Sequence, residues 1–298
     1  MCGIVGLFLK NERLQPELGG HLSRMLATMS ARGPDSAGIA VYGSGADDLI
    51  KLTLRAADPA ADGDLAGKLA AAIEAGVDLI RRSNHVVLTI PKHRRAQALT
   101  WLAQHAPDID VVSAGSRMEI YKEVGLPERV ANRFSISAMR GTHGIGHTRM
   151  ATESAVTTEG AHPFSTGDDQ CLVHNGSLSN HNAVRRNLRR EGLVFETEND
   201  SEVAAGYLTW RMREGDSLKE ALTSSLDALD GFFTFVVGTR DGFAVLRDPV
   251  ACKPAVLAES DDYVAFGSEF RALAVLPGID KARVFEPEPA TVYAWERR

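Results

Sequence analysis

The eight residues that open the chain, Met1-Cys2-Gly3-Ile4-Val5-Gly6-Leu7-Phe8, constrain it more than any other stretch. Residues 4–9 are an apolar run broken by a single glycine, the pattern of a buried strand. A cysteine is therefore set at the mouth of a core strand. Removal of Met1 would give Cys2 both a thiol and a free α-amine. Such an amine titrates near pH ~8, so at neutral pH part of it can act as a base. Nucleophile and base then lie on one residue, the amine taking the thiol proton directly or through a water. The plainer alternative is a small apolar residue that merely opens a strand, since free cysteines are commonly buried.

Strand 4–9 is followed by a helix over 21–29, where Leu22, Met25, Leu26 and Met29 share one face. Arg32-Gly33-Pro34-Asp35-Ser36 has the composition of a turn, and a strand follows over 37–42. From about 44 to 140 strand and helix patterns alternate. Strands are expected at 49–54, 85–90 and 109–113, and helices at 64–75, 94–105, 118–122 and 127–134. This stretch is expected to form an inserted α/β subdomain within one domain spanning 1–298. Strands then return at 143–152 and 170–176, the second ending in a turn. Helices follow at 182–191, 200–213 and 217–229, with Asp200 as an N-cap candidate. Strands at 232–239, 243–247, 255–259 and 263–266, a short helix at 269–274 and a strand at 291–295 complete the chain. Outside the middle stretch the order is strands, helices, strands. It favours stacked antiparallel sheets between helical layers, an α+β architecture.

Composition removes several classes of function. A net charge of -6 and the lack of a Lys/Arg block argue against nucleic-acid binding. The most basic run, Arg185 to Arg190, fits a solvated helix face. Three cysteines, Cys2, Cys171 and Cys252, form neither a disulfide framework nor a zinc motif. No segment has the length and apolarity of a membrane span or signal peptide, so the cytoplasm is the expected compartment. No phosphate-cradling glycine loop is present, and neither a metal nor a cofactor is called for.

The remaining candidates are few. His143 and His147 are four apart, but Gly144 and Gly146 argue against a metal-binding helix and for a hydrogen-bonding role. Arg149 follows a glycine-rich apolar stretch; a buried arginine needs an anion, either a ligand carboxylate or an internal partner. Asn175-Gly176 is either a hairpin turn or an amide and a bare backbone N–H for a developing oxyanion. Asp200 either caps its helix or receives a cationic amine. Together these groups would suit a free amino acid with a side-chain carbonyl, and glutamine fits.

These segments also carry a resemblance. Met1-Cys2-Gly3-Ile4-Val5-Gly6, Arg32-Gly33-Pro34-Asp35-Ser36-Ala37-Gly38, Gly146-His147-Thr148-Arg149-Met150-Ala151-Thr152, Ala161-His162-Pro163-Phe164, Val173-His174-Asn175-Gly176 and Asn199-Asp200-Ser201-Glu202 occur in that order. Leu246-Arg247-Asp248-Pro249 with Lys253-Pro254, and Gly267-Ser268-Glu269 with Ala272-Leu273, follow. The chain thereby resembles the class II, N-terminal-nucleophile glutamine amidotransferases over nearly everything except about residues 44–140. The resemblance implies a four-layer αββα sandwich and conversion of glutamine to glutamate and ammonia through a γ-glutamyl thioester. It implies Cys2 as nucleophile with its α-amine as base, and Asn175 and Gly176 as the oxyanion hole. It implies Arg149 for the substrate carboxylate, Asp200 for its ammonium, Thr152 in the pocket wall and Arg32 supporting the nucleophile. Met150 and Glu153 stand where sugar-phosphate-synthesising members carry Trp and His. The pattern is similar to the amidotransferase subunit of glutamate-synthase-like enzymes, including N-methylglutamate synthase, so the ammonia acceptor is expected on partner subunits. An amidase for another amide and a non-catalytic assembly subunit are the competing expectations. An amidase would need neither Arg149 nor Asp200, and the intact Cys2 argues against an assembly role.

Overall fold

The computed structural model describes residues 2–56, 63–151 and 155–297. In chain order the strands of the main body are β1 (Gly3–Leu9) and β2 (Ser36–Tyr42), separated by α1 (Leu18–Ala27). An inserted unit comprises β3 (Leu49–Ala56), α2 (Leu65–Ile73), β4 (Asp78–Arg82), β5 (His85–Pro91), α3 (Arg95–His105) and β6 (Ile109–Gly115). The main body resumes with β7 (Met118–Val124), α4 (Pro127–Arg133), β8 (His143–Arg149), β9 (Phe164–Gly167) and β10 (Gln170–Leu178). Three helices follow, α5 (His181–Arg190), α6 (Asp200–Arg213) and α7 (Leu218–Ala228). The last elements are β11 (Gly231–Thr239), β12 (Gly242–Arg247), β13 (Val256–Glu259), β14 (Tyr263–Gly267), α8 (Phe270–Leu273), β15 (Arg283–Phe285) and β16 (Val292–Glu296).

Two antiparallel sheets form the centre. One has the order β15-β13-β14-β1-β8-β2-β7 and the other β16-β12-β11-β10-β9. β1 shows why they stack. Ile4 and Phe8 point into an apolar layer with Val173, Val236, Phe243 and Phe266 between the sheets. Val5, Leu7 and Leu9 point the other way, onto Leu22, Met25 and Leu26 of α1. A strand apolar on both faces must be covered on both. On the far side, α5, α6 and α7 bury Leu188, Val203, Leu208 and Leu222 against Phe233, Phe235 and Leu246 of the second sheet. Each fully buried Leu or Phe contributes about 1.5–3 kcal/mol. The result is helix, sheet, sheet, helix, the four-layer αββα sandwich.

The inserted strands form a third antiparallel sheet in the order β4-β5-β3-β6. Their βαββαβ sequence is a split βαβ arrangement, so the alternation of strand and helix here does not produce parallel strands. α2 and α3 cover one face through Leu65, Leu69, Ile73, Ala98 and Leu102. The other face lies on the main body, where Val87 joins its helix-side core and the ring of His85 packs 4.7 Å from that of Phe134.

Three local expectations are corrected. Residues 118–122 are not helical; they belong to β7, paired with β2 from Ser36↔Val124 to Tyr42↔Met118. Met118 and Ile120 face the inter-sheet layer while Tyr121 faces the helical layer, a period of two that five residues cannot separate from a helical turn. β7, α4 and everything to residue 140 consequently belong to the main body, and the inserted sheet is narrower than the span 44–140. Asn175 and Gly176 do not form a turn either: β10 runs on through them, with Asn175↔Thr234 and Gly176↔Phe233 in register. The N-cap of α6 is Asn199, whose side chain accepts from Ser201 N, and Asp200 opens the first turn. The short strands β4, β9 and β15 carry no clear alternation and were not foreseen.

Candidate active site

The sequence-selected residues converge at one end of the two sheets. Antiparallel pairing of β1 with β8 sets Gly3 opposite Thr148, and pairing of β2 with β8 sets Ser36 opposite Arg149. Cys2, Arg149 and the turn at 32–36 therefore come to the same edge. Asn175 and Gly176 reach it from β10, and Asp200 from the start of α6. Cys2, Arg32, Arg149, Asn175, Gly176 and Asp200 all line one cavity of about 730 Å³. Thr152 lies outside the described residues.

Each side chain is held by identifiable contacts. Cys2 is partly buried, with its Sγ 3.9 Å from Met150 O. Its carbonyl accepts from Arg32 Nε at 2.9 Å and from Asn175 Nδ2 at 3.3 Å. Arg32 is anchored in turn by Glu269, Nη1 to Oε1 at 2.5 Å, and that hydrogen bond holds the Glu269 carboxyl below its usual range. Ser268 ties the site to the sheet. Its Oγ accepts from Ile4 N at 2.9 Å and from Asn175 Nδ2 at 3.2 Å. The Asn175 carboxamide is fixed from its other end by His147, Nε2 to Oδ1 at 3.2 Å. Burial pushes His147 down to about 3, so the ring is neutral and Nε2 carries its proton as donor to Oδ1.

Asp200 is oriented by three neighbours. Leu178 N donates to its Oδ2 at 2.9 Å, Ser201 Oγ to its Oδ1 at 3.3 Å, and His174 Nδ1 lies 3.8 Å from Oδ1. His174 is lowered by burial, against the pull of Asp200. Arg149 is buried and its Nη1 donates to Ala155 O at 3.3 Å. Gly176 has φ +156, and a Cβ there would lie 2.0 Å from Phe232 O, so only glycine fits this position of the strand. The turn at 32–36 is clamped to β8: Asp35 N donates to Arg149 O at 3.1 Å and Asp35 Oδ2 accepts from Ala151 N at 2.9 Å.

The cavity carries both signs of charge, Arg32, Arg149 and Lys253 against Glu159, Glu196, Glu198 and Asp200. A zwitterion suits such a wall. Glu196 is raised by desolvation and by Glu202 nearby. Among the described residues no group of three His, Cys, Asp or Glu side chains is arranged to hold a metal ion. None of their helices is long and apolar enough to cross a membrane. Sequence reasoning gave no role to Ser268 or Glu269, although each sits inside a matched segment, whereas the hydrogen-bonding role expected of His147 is met by its bond to Asn175.

The architecture is that of the N-terminal-nucleophile glutamine amidotransferases. The glutamine phosphoribosylpyrophosphate amidotransferase of B. subtilis superposes over 99% of this chain with a TM-score of 0.62 at 20% identity. The chain spans about half of that protein, 49% of its length. The family described as a glutamine amidotransferase domain matches residues 147–275. The glutamine amidotransferase-like protein GlxB of Rhizobium meliloti (strain 1021) is 62% identical over 301 residues, covering 100% of this chain and 99% of its own. A putative glutamine amidotransferase of Methanothermobacter thermautotrophicus (strain ATCC 29096 / DSM 1053 / JCM 10044 / NBRC 100330 / Delta H) is 31% identical, covering 98% and 99%. This chain belongs to the glutamine amidotransferase family.

Proposed function

We propose that the chain hydrolyses L-glutamine to glutamate and ammonia through a Cys2 γ-glutamyl thioester. The observation that carries this reading is the convergence of Cys2, Arg149, Asn175, Gly176 and Asp200 on one cavity lined by both charges. Arg149 receives the α-carboxylate through its planar fork and Asp200 the α-ammonium. Once Cys2 is the first residue, its α-amine takes the thiol proton and Sγ attacks the γ-carbonyl. Charge on that oxygen is met by Asn175 Nδ2 and Gly176 N–H. The 3.3 Å bond from Asn175 Nδ2 to Cys2 O is the longer of its two; it is the one an oxyanion would replace. Collapse expels ammonia, and water then releases glutamate from the thioester. Arg32 holds the Cys2 carbonyl.

The ammonia passes to a partner synthase subunit of the glutamate-synthase or N-methylglutamate-synthase kind. What supports this is the sequence pattern, which is similar to that of the amidotransferase subunit of glutamate-synthase-like enzymes. The inserted unit, β3 to β6, is the proposed docking surface. The test is covalent labelling with 6-diazo-5-oxo-norleucine, read by intact mass, beside a glutaminase assay with and without co-purifying chains. One label on Cys2 of a chain lacking Met1, with no hydrolysis by Cys2→Ala, is expected. A labelled wild type that retains Met1, or an unlabelled Cys2, overturns the mechanism. Full activity unaffected by any partner overturns the coupled-subunit reading.

A further inference from the structure

A second cavity, of about 580 Å³, lies at the other end of the seven-stranded sheet. It is built where β2 ends and β8 begins, since Gly43 follows Tyr42, and Thr142 precedes His143, the partner of Tyr42. The glutamine cavity is at the Ser36–Arg149 end of the same two strands. Seven residues at 3.2–3.4 Å each put the two cavities about 20 Å apart. The walls are Glu12, Gln15, Pro16, the segment 43–45, Arg117, the segment 140–142 and Arg297. Gly43 to Gly45 is the lead into the inserted unit, and Arg117 follows its last strand. The cavity thus sits at the joint between insertion and main body.

Its charge is unlike that of the rest of the molecule. Three guanidinium groups and one carboxylate line it, on a chain whose net charge is -6. The carboxylate, Glu12, is engaged by Arg297 Nη2 at 2.7 Å. The other terminal nitrogen of Arg297, Nη1, is buried and lacks a hydrogen-bond partner among the described residues. Arg117 and Arg140 make no side-chain ion pair or hydrogen bond to any described residue. Burial lowers the His143 ring first of all, and the charges of Arg297 and Arg117 both act in the same direction from this end of β8. Guanidinium groups that outnumber the carboxylates around them are stabilised when an oxyanion sits between them. A concave site of this volume falls within the roughly 300–1,000 Å³ range of small-molecule pockets.

We propose that this cavity binds a small anion with two or more negative charges, of the phosphate-ester or polycarboxylate class. The two unpaired arginines set the charge, and a volume of about 580 Å³ is that of a small-molecule site. The test is isothermal titration of the full chain with inorganic phosphate and, separately, citrate, at fixed ionic strength. Three proteins are compared: wild type, Arg117→Gln/Arg140→Gln, and Arg189→Gln/Arg190→Gln. The last pair removes the same charge from the exposed end of α5, far from the cavity. Saturable binding of at least one anion to the wild type, weakened tenfold or more in the first variant and unchanged in the second, is expected; the preferred anion names the class. The first variant breaks no internal contact, so its thermal midpoint without anion should match that of the wild type. Absence of saturable binding by either anion, or equal weakening in both variants, overturns the proposal.

Discussion

At the scale of single residues, the candidate site separates groups that hold a substrate from groups that act on a reacting atom. Under the proposed mechanism Arg149→Lys keeps the charge but loses the two-pronged contact, and Asp200→Asn loses the charge. Each removes a charge-assisted bond worth about 1.5–3 kcal/mol, so KM for glutamine should rise roughly ten- to hundredfold. Asn175→Ala should instead lower kcat about a hundredfold, because an oxyanion donor acts chiefly in the transition state. Steady-state kinetics on the three variants distinguish the cases, and an unchanged KM in both charge variants would remove glutamine as the substrate. The residues proposed to touch substrate were legible because their chemistry is scarce: one cysteine behind the first methionine, one arginine after a buried glycine-rich run. Those behind them were not. Ser268 meets Asn175 across 93 residues and Asp35 meets Ala151 across 116. Serine and aspartate are common, and no local pattern tells which of them will meet a distant strand.

At the scale of elements, the turn at 32–36 depends on close approach to β8. A Cβ on Gly33 would lie 2.4 Å from Thr148 C and 2.5 Å from Arg149 N. Both are backbone atoms, so no side chain can swing aside. Gly33→Ala should lift the turn, loosening the Arg32 contact with Cys2 O and the Asp35 contact with Ala151. We expect kcat/KM for glutamine to fall tenfold or more with the circular dichroism spectrum retained. Gly20→Ala in α1 is the control, because its nearest neighbour is a flexible Arg24 tip at 3.7 Å; it should be neutral or slightly stabilising. Wild-type kinetics in Gly33→Ala would show the turn to be independent of the site. α1 could be read from its helical spacing and α6 from the polar residues that open it, whereas β7 could not be read from periodicity. Its first five residues run Met, Glu, Ile, Tyr and Lys, and only the hydrogen bonds offered by β2 decide between strand and helix.

At the scale of the whole molecule, burial of neutral histidines sets a pH dependence. His85, His143 and His147 are each pushed from 6.5 to about 3, first of all by desolvation, and His162 and His174 are lowered as well. In the unfolded chain all five take up a proton near their ordinary value. Between about 6.5 and 3 the unfolded state therefore binds more protons than the folded one, and stability falls as pH falls. Each proton of difference is worth about 1.4 kcal/mol per pH unit. The midpoint of urea unfolding should drop clearly between pH 7 and pH 5, more steeply than one proton would produce. An unchanged midpoint over that interval would contradict the buried, neutral state of these rings.

β1 is the fourth of seven strands, hydrogen-bonded on one side to β8 and on the other to β14. Neither neighbour exists when β1 leaves the ribosome. The Ile4 amide waits for Ser268, 264 residues later; at roughly 5–20 residues per second of synthesis that gap lasts about 13–50 s. A nascent chain released before β14 carries the cysteine without the sheet that aims it. The first reactive group to be made is thus among the last to be put in place, and thiol chemistry on the growing chain is decoupled from that of the finished one.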